Sequence, residues 1–126
     1  MTTTDIPALD TESAATEAVV RHHLQAFLEG HGVDAIVSDY AVDARFHTEA
    51  EIYRGKPEIH GFFVAFLAAL PAGAIGDFTL RSMHVDGNVA SITWSVGDAI
   101  PLGTDTFVVQ DGKIVAQTFA MYAAGR

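Results

Sequence analysis

The sequence predicts an α+β fold, with helices packed on one face of a curved, mainly antiparallel sheet. Two observations carry that prediction. Apolar residues recur at helical spacing in the first half, at Val20, Leu24 and Phe27 and again at Ile59, Phe62, Phe63, Phe66 and Leu70. After residue 76 the rhythm changes to strand alternation, and the Asp86-Gly87 and Asp111-Gly112 pairs mark tight hairpins. Helices first and a strand meander second is the order of an α+β domain.

The elements follow in order. Residues 1–11 are polar and read as a loose tail, which leaves residues 12–124 as one domain. A first helix is expected over Ser13–Glu29. Asp10, Thr11 and Ser13 offer capping oxygens, and Gly30 and Gly32 end it. Its apolar face is Val20, Leu24 and Phe27, with Thr16, His23 and Leu28 on the flanks. A short helix over Asp34–Tyr40 comes next, then a strand over Ala44–Thr48, a bend at Glu49–Glu51 and a return piece over Ile52–Arg54. Gly55-Lys56-Pro57-Glu58 opens a third helix, with proline where no amide donor is needed, and Pro71 and Gly73 stop it. Four strands are expected over Asp77–Val85, Asn88–Ile100, Leu102–Gln110 and Lys113–Tyr122, the middle pair joined at Pro101-Leu102-Gly103.

Composition narrows the function. With 16 acidic against 7 basic residues the net charge is -9, which disfavours nucleic acid and anionic membranes as partners. There is no cysteine, so disulfides, thiolate metal sites and cysteine nucleophiles are excluded. The longest apolar run, Phe62 to Leu70, is far short of the roughly 20 residues of a membrane span. The start carries no basic region followed by an apolar core, so a cytoplasmic protein is expected. No phosphate-binding loop or dinucleotide fingerprint occurs, and no cofactor or metal is expected.

Alternation divides the sheet into two faces. One carries Ala90, Ile92, Trp94, Val96, Asp105, Phe107, Val109, Val115, Gln117, Phe119 and Met121, and its aromatic bulk should face the helices. Asp105 and Gln117 are the polar interruptions. The other face carries Val89, Ser91, Thr93, Ser95, Thr104, Thr106, Val108, Ala116, Thr118, Ala120 and Tyr122, without a single charge. A wet sheet face normally carries charge, so this one is expected to pair with a second copy as a homodimer.

The order of these pieces resembles the NTF2-like superfamily, also called the SnoaL-like or ketosteroid-isomerase-like fold. The residues that carry the resemblance are Ala18-Val19-Val20, Asp34-Ala35-Ile36-Val37, Tyr40-Ala41-Val42-Asp43-Ala44, Tyr53-Arg54-Gly55-Lys56, Gly103-Thr104-Asp105-Thr106-Phe107 and Asp111-Gly112-Lys113-Ile114. They span about residues 14–123. The resemblance implies a cone-shaped sheet curled around the helices, with an apolar pocket at its wide end. It places Phe46, Thr48, Trp94, Asp105, Phe107, Gln117, Phe119 and Met121 toward that pocket, with Tyr40 and His23 approaching from the helices. It also implies commonly dimeric relatives and a small apolar ligand, and it extends from isomerases, cyclases and dehydratases to non-catalytic members.

Asp105 and His23 are the candidate catalytic pair. An inward carboxyl among aromatics loses hydration; neutral, it can donate to an oxyanion, and ionised, it can take a proton from carbon. The same residue can instead be a structural carboxyl held by a neighbouring donor. His23 can give or take a proton near neutrality, or be a helix-flank histidine satisfied by Tyr40 or Asp105. Where the family places a proton-shuttling Asp on the first strand and a phenol on the first helix, this chain has Thr48 and His23. His47 and Glu49 are two apart on one strand but lack a third ligand. Both classes stay open here: acid–base chemistry on a small apolar carbonyl or polyketide-like compound, and a non-catalytic ligand-binding or interaction module.

Overall fold

The structure, a computed structural model, describes residues 10–123. Helix α1 covers Thr11–Leu28, and Asp10 Oδ1 caps it by accepting from the Ser13 amide at 2.7 Å. Thr11 therefore belongs to the helix and not to the expected tail. Residues 1–9 of that tail, and residue 124 of the expected domain, lie outside the described residues.

The buried side of α1 is Ser13, Thr16, Val20, His23 and Ala26, more polar than the expected Val20-Leu24-Phe27 face. Long-range hydrogen bonds explain the rotation. The Gly87 amide donates to Ser13 Oγ at 2.8 Å, and Thr16 Oγ1 donates to the Gly87 carbonyl at 2.7 Å. Gly87 sits in a hairpin turn at φ +60°, where glycine is at ease, and the first two turns of α1 dock on it. His23, expected on a flank, is thereby turned into the middle of the buried face.

Helix α2, Val33–Val37, ends before Tyr40, and strand β1 runs over Tyr40–His47. The expected helix over Asp34–Tyr40 is too long because Tyr40 is fully buried and lies opposite Ile114 in a parallel pairing. Strand β2, Ile52–Arg54, and helix α3, Gly55–Ala69, fall where expected. At the start of α3, Glu58 reaches back to accept from the Arg54 amide at 2.8 Å. A single 3-10 turn, Ile75–Asp77, leads into β3, Phe78–Asp86. Strands β4, Val89–Val96, β5, Ile100–Gln110, and β6, Lys113–Tyr122, complete the meander. The β4–β5 turn is Gly97-Asp98-Ala99, so Pro101, expected in the connection, lies inside β5.

The six strands form one open, mixed sheet in the order β2-β1-β6-β5-β4-β3, with β1 and β6 parallel and every other neighbour antiparallel. The helices cover its inner face. A register shift between Val108 and Val109 bulges β6, so Ile114 turns inward, fully buried, in place of the expected Val115. Ser95, expected on the open outer face, is buried instead, with Arg81 Nη1 donating to its hydroxyl at 3.3 Å. No described helix is long and apolar enough to cross a membrane.

Candidate functional site

The polar centre of the inner face is built by β-sheet register. Asp105 on β5 lies opposite Phe119 and Ile92, and Gln117 lies diagonally across from it on β6, opposite Phe107. Trp94 on β4 lies opposite Gly103, and its indole crosses directly over that glycine. The Trp94 Nε1–H then reaches Asp105 Oδ1 at 2.7 Å, while Gln117 Nε2 donates to Asp105 Oδ2 at 2.8 Å. Both carboxyl oxygens thus accept. Tyr40 donates its hydroxyl proton to Gln117 Oε1 in a short bond, and His23 Nε2 lies 3.5 Å from the Tyr40 oxygen.

Gly103 is a structural requirement of this arrangement. A Cβ built there would stand 2.2 Å from Trp94 Cε2, well inside contact distance. Gly103→Ala is expected to displace the indole, break its bond to Asp105 and cost about 3 kcal/mol of stability by overpacking. A melting curve and the shift of the Trp94 indole proton resonance check this; an unmoved resonance would refute the close approach.

Asp105, His23 and Gln117 all line a cavity of about 70 Å³. The rest of its wall is apolar and largely aromatic, including Phe27, Phe46, Phe62, Phe66, Phe78, Trp94, Phe107 and Phe119. Trp94 stacks between Phe78 and Phe119, with centroids 5.6 and 6.2 Å away. An apolar cavity of roughly 150 Å³ accepts benzene. This one, as it stands, admits a ligand of a few heavy atoms and no bicyclic one.

Burial raises the Asp105 carboxyl to about 6. Its bonds from Trp94 and Gln117 and the nearby His23 pull the other way and limit the rise. The Tyr40 phenol is pushed well above its ordinary 10, chiefly by burial and also by the negative charges of Asp105 and Asp39.

Of the residues expected at the pocket, Phe46, Trp94, Phe107, Gln117 and Phe119 line the cavity together with Asp105 and His23. Three do not. Tyr40 sits one layer behind, between His23 and Gln117. Met121 is part-buried against the core but outside the cavity wall. Thr48 lies just past the end of β1, where its hydroxyl donates to the Glu51 carbonyl at 2.9 Å and accepts from the Ala50 and Glu51 amides. The alternation that buries Ala44 and Phe46 ends at His47, and the chain turns at Thr48 before that position can face inward. Sequence reading marks Phe62 and Phe66 only as apolar positions of the third helix, and they wall the cavity. It missed Asp39, 3.7 Å from His23, because that contact exists only once β1 begins at Tyr40. Among the described residues no three His, Asp or Glu side chains gather as a metal site.

Comparison with known proteins agrees with this architecture. The family model of the SnoaL-like domain matches residues 20–117. Among solved structures, an NTF2-like protein of unknown function from Mesorhizobium loti is 21% identical, with a TM-score of 0.70 over 92% of this chain and 98% of its own. A protein named as a ketosteroid isomerase from Kribbella flavida DSM 17836 is 22% identical, with a TM-score of 0.66 over 94% and 85%. A protein named as a polyketide cyclase from Sinorhizobium meliloti is 21% identical, with a TM-score of 0.67 over 81% and 93%. Curated proteins yield no match.

Proposed function

The chain belongs to the SnoaL-like domain family of the NTF2-like superfamily, and from that premise we propose that it catalyses proton transfer on a small apolar carbonyl compound. The observation that carries this reading is Asp105: a buried carboxyl on the wall of an aromatic cavity, its acidity brought to about 6, with His23 on the same wall. Every protein bond to the Asp105 oxygens comes from an N–H donor, which suits a carboxylate and leaves a protonated acid without an acceptor. Asp105 therefore serves as base, taking a proton from the carbon next to the carbonyl. His23 serves as acid, its Nε2–H passing to the carbonyl oxygen, a role open to it because the 3.5 Å contact with Tyr40 is at the limit of a hydrogen bond. The product of the step is an enol. Where the substrate carries a β,γ-double bond the enol is a dienol, and return of the proton from Asp105 to its γ-carbon, with shift of the double bond into conjugation and of the enol proton to His23, completes an isomerisation; attack of the enol α-carbon on a second carbonyl would make a cyclase instead.

Two structural relatives named for carbonyl chemistry, an isomerase and a cyclase, lend support. The cavity of about 70 Å³ favours the small end of the substrate range. The reading is tested by incubating the protein with small ketones in deuterium oxide and following deuterium entry beside the carbonyl by mass spectrometry. Incorporation above the protein-free rate is expected. Ketones that bind without exchange would establish the second reading, a non-catalytic ligand-binding module, which is favoured by one observation: Thr48 secures a turn where a second carboxylate would stand. We further propose a homodimer through the outer face of the sheet.

A further inference from the structure

Two buried polar atoms on the far side of His23 have no hydrogen-bond partner: His23 Nδ1 and Asp39 Oδ2, 3.7 Å apart. Leaving such a pair unmade in the interior is costly. The direction of the neighbouring hydrogen bonds says what is missing between them.

Gln117 must present its amide nitrogen to Asp105, because its carbonyl would repel the carboxylate. Its Oε1 therefore faces Tyr40, and the Tyr40 proton is committed to that bond. What Tyr40 turns toward His23 is a lone pair, so His23 Nε2 has to carry a hydrogen. A neutral imidazole has one N–H only. With that hydrogen on Nε2, Nδ1 would aim a bare lone pair at the Asp39 carboxylate. A second proton removes the conflict and turns the gap into a charge-assisted bond, which needs a closure of only ~1 Å.

We propose that His23 is held as an imidazolium by Asp39, which makes Asp39 the positioning residue that sets His23 as the proton donor and Asp105 as the proton acceptor of the cavity. The catalytic meaning of this assignment rests on the function proposed above; the protonation state itself does not. The ionisable groups around His23 fit it. Asp39 and Asp105 are the acids near it, and Tyr40 meets it edge-on. Helix α3 and strand β5 otherwise present Phe63 and Phe107, which are neutral. His22, next in the chain and exposed, binds the other Asp39 oxygen at 2.8 Å and links the pair to solvent. Lys113, which pairs near the start of β1, is spent on the Ser38 carbonyl.

The test is two-bond proton–nitrogen correlation NMR of the histidine rings in uniformly 15N-labelled protein, from acid to neutral pH. His23 is identified by removing each of the other histidines in turn. Both His23 nitrogens are expected in the protonated region at neutral pH. Asp39→Asn should turn His23 into a neutral ring with its hydrogen on Nε2, since the Asn amide can donate to Nδ1. A neutral His23 in the wild-type protein overturns the proposal without need of any variant. So does a doubly protonated His23 that persists in Asp39→Asn. Neither result depends on turnover, so the assignment can fail while the acid–base function stands, and the reverse.

Discussion

Asp105→Asn is expected to cut turnover of a carbonyl substrate by roughly a thousandfold, the weight of a positioned general base, while the fold persists. Asparagine keeps the size of the side chain, and its carbonyl can still accept from Trp94 Nε1. Gln117 can turn its amide to meet the new donor, which gives up the Tyr40–Gln117 bond, and the loss of one hydrogen bond is small enough for the fold to survive. Solvent exchange at the carbon beside the carbonyl should vanish with turnover, because both begin with the same proton abstraction. Retained exchange in a folded Asp105→Asn protein would place the base elsewhere.

The same carboxyl gives two pH dependences of opposite sign. With Asp105 as the proposed base, activity should rise with pH through about 6 and then level off. Stability should move the other way. Burial raises Asp105 from 3.8 to about 6, so the folded protein holds this proton more tightly than the unfolded chain. The contribution is fully present below about 4 and is lost as pH rises through about 6, on the order of 3 kcal/mol in all. Asp105→Asn should flatten that slope in denaturant titrations across the window.

Helices, sheet and the inward Asp105–Gln117 pair were legible in the sequence because each rests on a local period or turn signal. Trp94, Phe107 and Phe119 reached the cavity on alternation alone. What escaped depends on contacts between distant segments. The rotation of α1 that buries His23 is set by Ser13 and Thr16 docking on Gly87, more than 70 residues away along the chain. The early start of β1, and with it the Asp39–His23 contact, is set by burial of Tyr40 against β6. The bulge that swaps Val115 for Ile114 leaves no mark in a two-residue repeat, since both are apolar and β-branched.

Thr106→Lys is expected to split the proposed dimer, with an apparent dissociation constant raised at least ~100-fold and the monomer fold retained. Thr106 lies in a row with Ser91 on β4 and Thr118 on β6, and Thr93 and Thr104 form the next row. These strands are at the middle of the sheet, and their outer residues from Val89 to Ser95, Leu102 to Val108 and Ala116 to Tyr122 are uncharged, with Lys113 only at the start of β6. Apolar groups stand open beside them, with Leu102 47% and Tyr122 64% exposed. Small hydroxyl and apolar side chains on a smooth face suit packing against a copy of themselves across a two-fold axis. The charges of this face lie at its margins: Arg45 comes beside Ala116 through β1, and Arg81 lies on β3 at the far edge. A lysine at Thr106 would thus meet its own copy near the axis, with positive groups at both flanks and no acid in the central rows. Thr118→Glu should act more weakly, because His47 lies directly opposite on β1 and can hydrogen-bond the new carboxylate. Sedimentation or light scattering at micromolar concentration reads the outcome. Wild-type protein that runs as a monomer, or a Thr106→Lys variant that stays dimeric, would move the interface off this face.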